Sequence, residues 1–175
     1  MTLRRDILQP IRVPLVASLK GIVASGADNL LRWSEDFSQS EWTSNAAMTP
    51  SADQLLASGT LNAEVRQDVI RPTNDETLTF SVELKTNNGS ADWDLLIAEY
   101  NGSTYLSGTG QDIIGLSGSY QRIEVTRTGV EATGDRWRVR IRRTNAAGAA
   151  DGDALGARKA QLEVGASFTS YSKTE

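Results

Sequence analysis

The sequence predicts an all-β protein: a two-sheet antiparallel jelly-roll sandwich preceded by an N-terminal arm that carries a short helix. Three observations lead there. Several segments alternate apolar and polar residues with a period of two, the spacers between them are short and rich in Gly, Asn, Asp and Ser, and no part of the body sustains the apolar period of a long helix. Six or more short strands spaced in this way fit two antiparallel sheets packed face to face. At 175 residues the chain has room for one well-buried core rather than two.

The arm covers residues 1–28 and the sandwich residues 29–175. In the arm, Pro10 and Pro14 push Gln9 and Val13 toward extended geometry, so the first part is expected to be irregular. Pro14 suits the first position of a short helix with Leu15, Leu19, Ile22 and Val23 on one face and Gly26 past its end. A helix of this length is marginal alone and needs a surface to lie on.

In the body, "AEVRQDVI" (63–70) is a short strand candidate. "ETLTFSVELKT" (76–86) places Leu78, Phe80, Val82 and Leu84 on one face, and Thr79, Ser81, Glu83 and Lys85 on the other. "DWDLLIAEY" (92–100) alternates Trp93, Leu95 and Ile97 with Asp94, Leu96 and Ala98, a pattern for a strand covered on both faces. "YQRIEVTRT" (120–128) and "RWRVRIRRT" (136–144) follow, the latter with Trp137, Val139 and Ile141 inward, and "KAQLEV" (159–164) closes the set. "NNGSAD", "NGST", "SGTG", "LSGSY", "TGVEATGD" and "NAAGAADGDALG" are expected loops.

Composition excludes several classes of chemistry. The chain has no Cys and no His, hence no disulfide framework, no thiolate zinc site and no imidazole base. The longest apolar stretch, Val13 to Ala24, is short for a bilayer and is interrupted by Pro14, Ser18, Lys20 and Gly21, so no membrane association is expected. Pro10, Pro14, Asp6 and Arg12 break the apolar block that a signal peptide needs. Arg4, Arg5, Arg12, Lys20 and Arg32 outnumber Asp6 and Asp28 near the start, which makes a basic arm on an acidic body. A pI near 5.0 argues against nucleic acid as a partner.

Four groups of residues are candidates for function. Arg136, Arg138, Arg140 and Arg142 share one strand face about 7 Å apart, which requires acidic neighbours or an acidic partner surface. Glu83, Glu99 and Glu124 are the expected neighbours. Trp42, Tyr100 and Tyr105 lie near loops and are the choices for a glycan-stacking platform, whereas Trp93 and Trp137 fall at inward positions. Asp151 and Asp153 are a weak candidate for calcium, with no other metal or cofactor expected. Asp92 with Asp94 and Asp151 with Asp153 are pairs of the kind glycosidases use, but all sit in or beside loops where Asp makes turns, so no catalytic residue and no enzyme activity is expected. In the arm, Arg4, Arg5, Ile7, Leu8, Ile11, Arg12, Val13, Leu15 and Leu19 are the expected partner-binding residues.

Four stretches in order, "NLLRWSEDFSQSEWT" (29–43), "VRQDVIRPTNDETLTFSVELKT" (65–86), "GSYQRIEVT" (118–126) and "ARKAQLEVGASFTSYSKTE" (157–175), resemble the lectin-like jelly-roll domains of tailed-bacteriophage structural proteins, which are similar to carbohydrate-binding modules. The resemblance covers roughly residues 29–174. It departs from the family at Arg158 and Lys159, where an aromatic often precedes "AQLE". What it implies is a virion structural protein made in the host cytoplasm. The preferred form is a homotrimeric capsid decoration or cement protein, with the arm held by the major capsid protein or another virion protein. The alternative is a tail- or collar-located module that binds a host surface glycan.

Overall fold

The computed structural model describes residues 28–59, 62–70, 77–88, 92–113, 115–128, 133–144 and 149–175. Residues 1–27 of the arm, with its expected helix and partner-binding residues, lie outside them. Among the described residues there are ten strands: β1 (Thr43–Ser44), β2 (Met48–Pro50), β3 (Gln54–Ala57), β4 (Ala63–Ile70), β5 (Leu78–Asn88), β6 (Trp93–Asn101), β7 (Thr104–Ile113), β8 (Gln121–Arg127), β9 (Arg136–Arg143) and β10 (Ala154–Val164). They form two five-stranded antiparallel sheets, sheet A in the order β1-β4-β9-β6-β7 and sheet B in the order β2-β3-β10-β5-β8. Among the described residues there is no helix.

The period of two sets which face each strand buries. Leu78, Phe80, Val82 and Leu84 of β5 meet Leu95 and Ile97 of β6, and Trp137, Val139 and Ile141 of β9, in a core that also takes Val65, Leu155 and Leu162. Each fully buried Leu, Ile or Phe contributes roughly 1.5–3 kcal/mol, so this layer holds the two sheets together.

Among the described residues, two ion pairs cross the interior between the sheets. Glu99 of β6 meets Arg127 of β8 at 3.2 Å, with Arg127 also donating to the Ser107 hydroxyl at 2.6 Å. The residue facing that carboxylate is Gly134, where any Cβ would overlap Glu99. Arg143 of β9 meets Asp153, just before β10, at 3.2 Å, and donates to the carbonyls of Ala150 (2.6 Å) and Gly59 (2.8 Å). The alternation alone places Glu99 and Arg143 inward, and they are tolerated there because each gains a partner of opposite charge.

The expected strands are present, joined by β1, β2, β3 and β7, which were not expected, and some strands run into expected loops. "SGTG" is not a loop but the middle of β7, and β10 begins at Ala154, inside the expected "NAAGAADGDALG" loop. Turn-forming composition misleads at "SGTG" because Gly108 and Gly110 serve as small residues on a strand surface: a Cβ at Gly108 would sit 3.1 Å from the Tyr105 hydroxyl and 3.1 Å from the Ile97 carbonyl oxygen.

The opening and closing stretches prove to be one clasp. The Asn29 side-chain amide donates to the carbonyls of Ala160 (2.9 Å) and Ser172 (3.1 Å), and its oxygen accepts from the backbone N–H groups of Leu31 and Leu162. Leu30 N–H donates to Leu162 O, and Ala160 N–H to Ser34 O, along the part of β10 that β3 leaves unpaired. The tail then returns over sheet B. Glu163 accepts from the Thr169 N–H (2.9 Å) and hydroxyl (2.6 Å), Gln161 accepts from Ser172 N–H (2.9 Å), and Gln161 also donates to Glu163. Tyr171 lies back on the sandwich, where its hydroxyl shares a 2.6 Å hydrogen bond with the buried Ser34, and burial raises its pKa although Ser34 acts the other way.

Candidate ligand-binding face

Among the described residues, most of the sequence-predicted site residues converge on the outer face of sheet A. Antiparallel register sets its rows: Glu64, Arg142, Asp94 and Asp112 lie across β4, β9, β6 and β7, followed by Arg66, Arg140, Leu96 and Gly110. Asp68, Arg138, Ala98 and Gly108 come next, and then Ile70, Arg136, Tyr100 and Tyr105. The arginines of β9 therefore form a column down the middle, flanked by Glu64 and Asp68 on the β4 side and, on the β6–β7 side, by Asp94 and Asp112 at one end, Ala98, Gly108 and Gly110 in the middle, and Tyr100 and Tyr105 at the other end.

The arginine column is neutralised within the face. Arg138 holds Asp68 with two bonds, Nε to Oδ1 at 2.6 Å and Nη2 to Oδ2 at 2.8 Å. Arg142 grips Asp94 through Nε and Nη2. Glu64 sits between Arg66 (2.7 Å) and Arg140 (3.3 Å), and Arg136 pairs with Asp135 at 3.0 Å. These are not the expected neighbours. Glu83 lies on sheet B with Arg158 and Lys159, Glu124 is beside Phe168, and Glu99 is in the interior. The strand order β4-β9-β6 decides this, and a single sequence does not state it. At Asp68, burial pushes the pKa upward, but the hydrogen bond and charge of Arg138, with Arg136 and Arg66, outweigh it and hold the carboxyl below its ordinary value.

The three candidate platform aromatics have different fates. Trp42 is only 4% exposed; it packs on Phe37 at 4.6 Å between ring centroids and donates from Nε1 to the Trp33 carbonyl, so it offers no ring to solvent. Tyr100, 8% exposed, lies under the Arg138 guanidinium at 4.2 Å and meets Tyr105 edge-on at 5.7 Å. Tyr105 is 53% exposed and runs along β7 toward Gly108. Ala98, Gly108 and Gly110 leave a shallow floor between this tyrosine and the arginine column. At the β4 edge, where β1 pairs only with Val65 and Arg66, a groove of about 470 Å³ opens between Leu30, Arg32 and Glu41 on one side and Arg66, Asp68 and Arg138 on the other.

Asp151 and Asp153 are each committed to the protein. Asp151 accepts from Gly59 N–H at 2.8 Å, and Asp153 is buried against Arg143 and accepts from Ala150 N–H at 2.7 Å. Among the described residues no group of three or more carboxylates is arranged to hold a metal ion. Asp94 is likewise occupied by Arg142, while the Asp92 carbonyl accepts from Thr144.

No family model and no curated protein matches the sequence. Solved structures do. The enzymatically active domain of tailspike protein 4 from bacteriophage CBA120 superposes with a TM-score of 0.58 at 12% identity, over 78% of this chain and 21% of that one. A family 16 carbohydrate-binding module matches with a TM-score of 0.52 at 12% identity, over 77% of this chain and 99% of that one. The modules of Clostridium thermocellum endo-1,4-beta-D-xylanase 10B complexed with xylohexaose match with a TM-score of 0.57 at 8% identity, over 84% of this chain and 30% of that one. The chain thus corresponds to about one fifth of the tailspike chain and to nearly the whole of the family 16 module. At these identities the shared property is the β-sandwich fold.

Proposed function

We propose that this chain is a non-catalytic carbohydrate-binding protein of a tailed-phage particle, with a sandwich of the jelly-roll kind that meets a host surface glycan through the outer face of sheet A. The observation that carries this is Tyr105, a half-exposed ring on a strand, lying beside a column of planar guanidinium and carboxylate groups held in fixed positions. An apolar ring face next to oriented donors and acceptors is the combination a sugar ring needs, since it presents C–H patches and hydroxyls together. The sandwiches it resembles, a carbohydrate-binding module and a phage tailspike domain among them, support the same reading by fold analogy.

The test is affinity electrophoresis in gels containing host surface polysaccharide. The wild type is retarded, and Tyr105→Ala loses about tenfold or more in affinity with an unchanged unfolding midpoint. Unretarded migration of the wild type in every host polysaccharide would overturn the proposal.

A capsid decoration protein, homotrimeric and held by its arm, is the second reading. It rests on Arg4, Arg5, Arg12 and the apolar residues around them, which lie outside the described residues. Copy number per purified particle separates the two: hundreds of copies lost on deleting residues 1–26 favour the capsid, and a handful favour a tail or collar position.

A further inference from the structure

We infer that the outer face of sheet A selects uncharged glycans and rejects acidic ones, an inference that rests on the carbohydrate-binding reading above. A row of four arginines in a sequence suggests the reverse, a surface for carboxylates, sulfates or phosphates. The structure removes that option. Asp68 occupies the Nε/Nη2 edge of Arg138, Asp94 occupies the corresponding edge of Arg142, Glu64 is shared by Arg66 and Arg140, and Asp135 lies on Arg136. Asp112 stands opposite Asp94 across β6 and β7 and adds a further negative charge to that row.

An incoming carboxylate or phosphodiester therefore meets a fixed carboxylate beside every guanidinium it approaches. Either the existing pair breaks or two like charges come together, and both are unfavourable in a partly desolvated site. A neutral polyol meets no such obstacle. A guanidinium that uses one edge on Asp68 keeps further N–H donors, and a carboxylate that accepts from one arginine keeps unused lone pairs. A sugar hydroxyl both donates and accepts, so it can bridge the two members of a pair without displacing either. Pairing also explains how four arginines stand on one strand face without mutual repulsion, and it holds their planes rigid before any ligand arrives. Binding that uses prepaired groups releases few counterions and responds weakly to salt.

The experiment uses the full chain on an array of immobilised polysaccharides. Glucan, galactan, xylan and mannan are the neutral members, and polygalacturonate, polysialate and poly(glycerol phosphate) the acidic ones. Each is read at about 0.05 M and about 0.5 M salt. The expected result is saturable binding to at least one neutral polymer that changes less than about twofold with salt, and none to the acidic set. Asp68→Asn, which leaves Arg138 without its carboxylate, should weaken neutral binding by about fivefold or more, with folding checked by the unfolding midpoint. Preferential, salt-sensitive binding to an acidic polymer would overturn the inference while leaving carbohydrate binding intact. Absence of binding to every polymer would overturn both. Neutral binding that survives unchanged in both Tyr105→Ala and Asp68→Asn would place the ligand elsewhere and also defeat the inference.

Discussion

The outer faces of the two sheets are built from the same alternation yet end in different states. On sheet B, the outward residues of β10 and β8 are covered by the chain's own tail: Gln161 and Glu163 bind Thr169 and Ser172, and Arg122 lies 5.5 Å from the ring centre of Phe168 and 6.0 Å from that of Tyr171. On sheet A, the outward residues of β4, β9 and β6 pair with one another, and Tyr105 stays half exposed. Polar residues facing out of a sheet therefore do two kinds of work here. Those of sheet B hold the C-terminal tail, and those of sheet A hold one another.

The largest expected effect tests what the faces share. Arg143 and Asp153 join sheet A to sheet B in the interior, with both side chains almost wholly buried. Asp153→Ala leaves a buried guanidinium without its carboxylate and should cost about 3–5 kcal/mol of unfolding free energy in urea. A loss below about 1 kcal/mol would mean that water reaches Arg143 and that this pair does not hold the sheets together.

The clasp comes next. Asn29→Ala removes two amide donors and an acceptor that serves two backbone N–H groups, and should cost about 2–4 kcal/mol. Glu163→Ala should cost somewhat less, about 1–3 kcal/mol, and should expose residues 166–175 to proteases before the body unfolds. If neither variant loses stability, the tail merely rests on sheet B, and the contrast between the faces disappears.

On sheet A the expected cost is small. Asp68→Asn breaks an ion pair whose carboxylate side is about one-third exposed, and should change stability by less than about 1 kcal/mol while reducing glycan affinity. The contrast is thus sharpest between Asn29 and Asp68: the first is expected to act on stability, the second on binding.

The sequence made most of this fold legible, and less of the site, for physical reasons visible in single residues. Strand faces follow from an alternation that water enforces, so Phe80, Trp137 and Ile141 were readable as core. The pairs on the outer face depend on which strand lies beside which; Asp68 and Asp94 reach Arg138 and Arg142 only because β9 runs between β4 and β6. The "NLL" and "AQLE" stretches were readable as part of a jelly-roll signature. That Asn29 and Ser34 would bind Ala160, Leu162 and Tyr171 across the whole length of the body was not, because hydrogen-bond partners so far apart leave no local period. Trp42 was misplaced for a related reason: proximity to a turn does not show that Phe37 folds over it.

The smallest expected effect is acid sensitivity, and it bears on both faces at once. Asp68 on sheet A and Glu83 on sheet B have depressed pKa values: burial raises each, but Arg138 at the first, and Lys159 and Arg158 at the second, more than offset it. A carboxyl whose folded pKa lies below its unfolded one adds stability at pH values above the unfolded pKa, and loses it as the pH falls through the folded value. The urea midpoint should therefore decline as pH drops below the ordinary carboxylate range near about 4, and Asp68→Asn or Glu83→Gln should each flatten that decline slightly. Salt at about 0.5 M should shrink both contributions, because these are partly exposed ion pairs, while the loss caused by Asn29→Ala persists because its hydrogen bonds are not screened. A decline that salt leaves unchanged would mean that neither the Asp68 pair nor the Glu83 pair is its source.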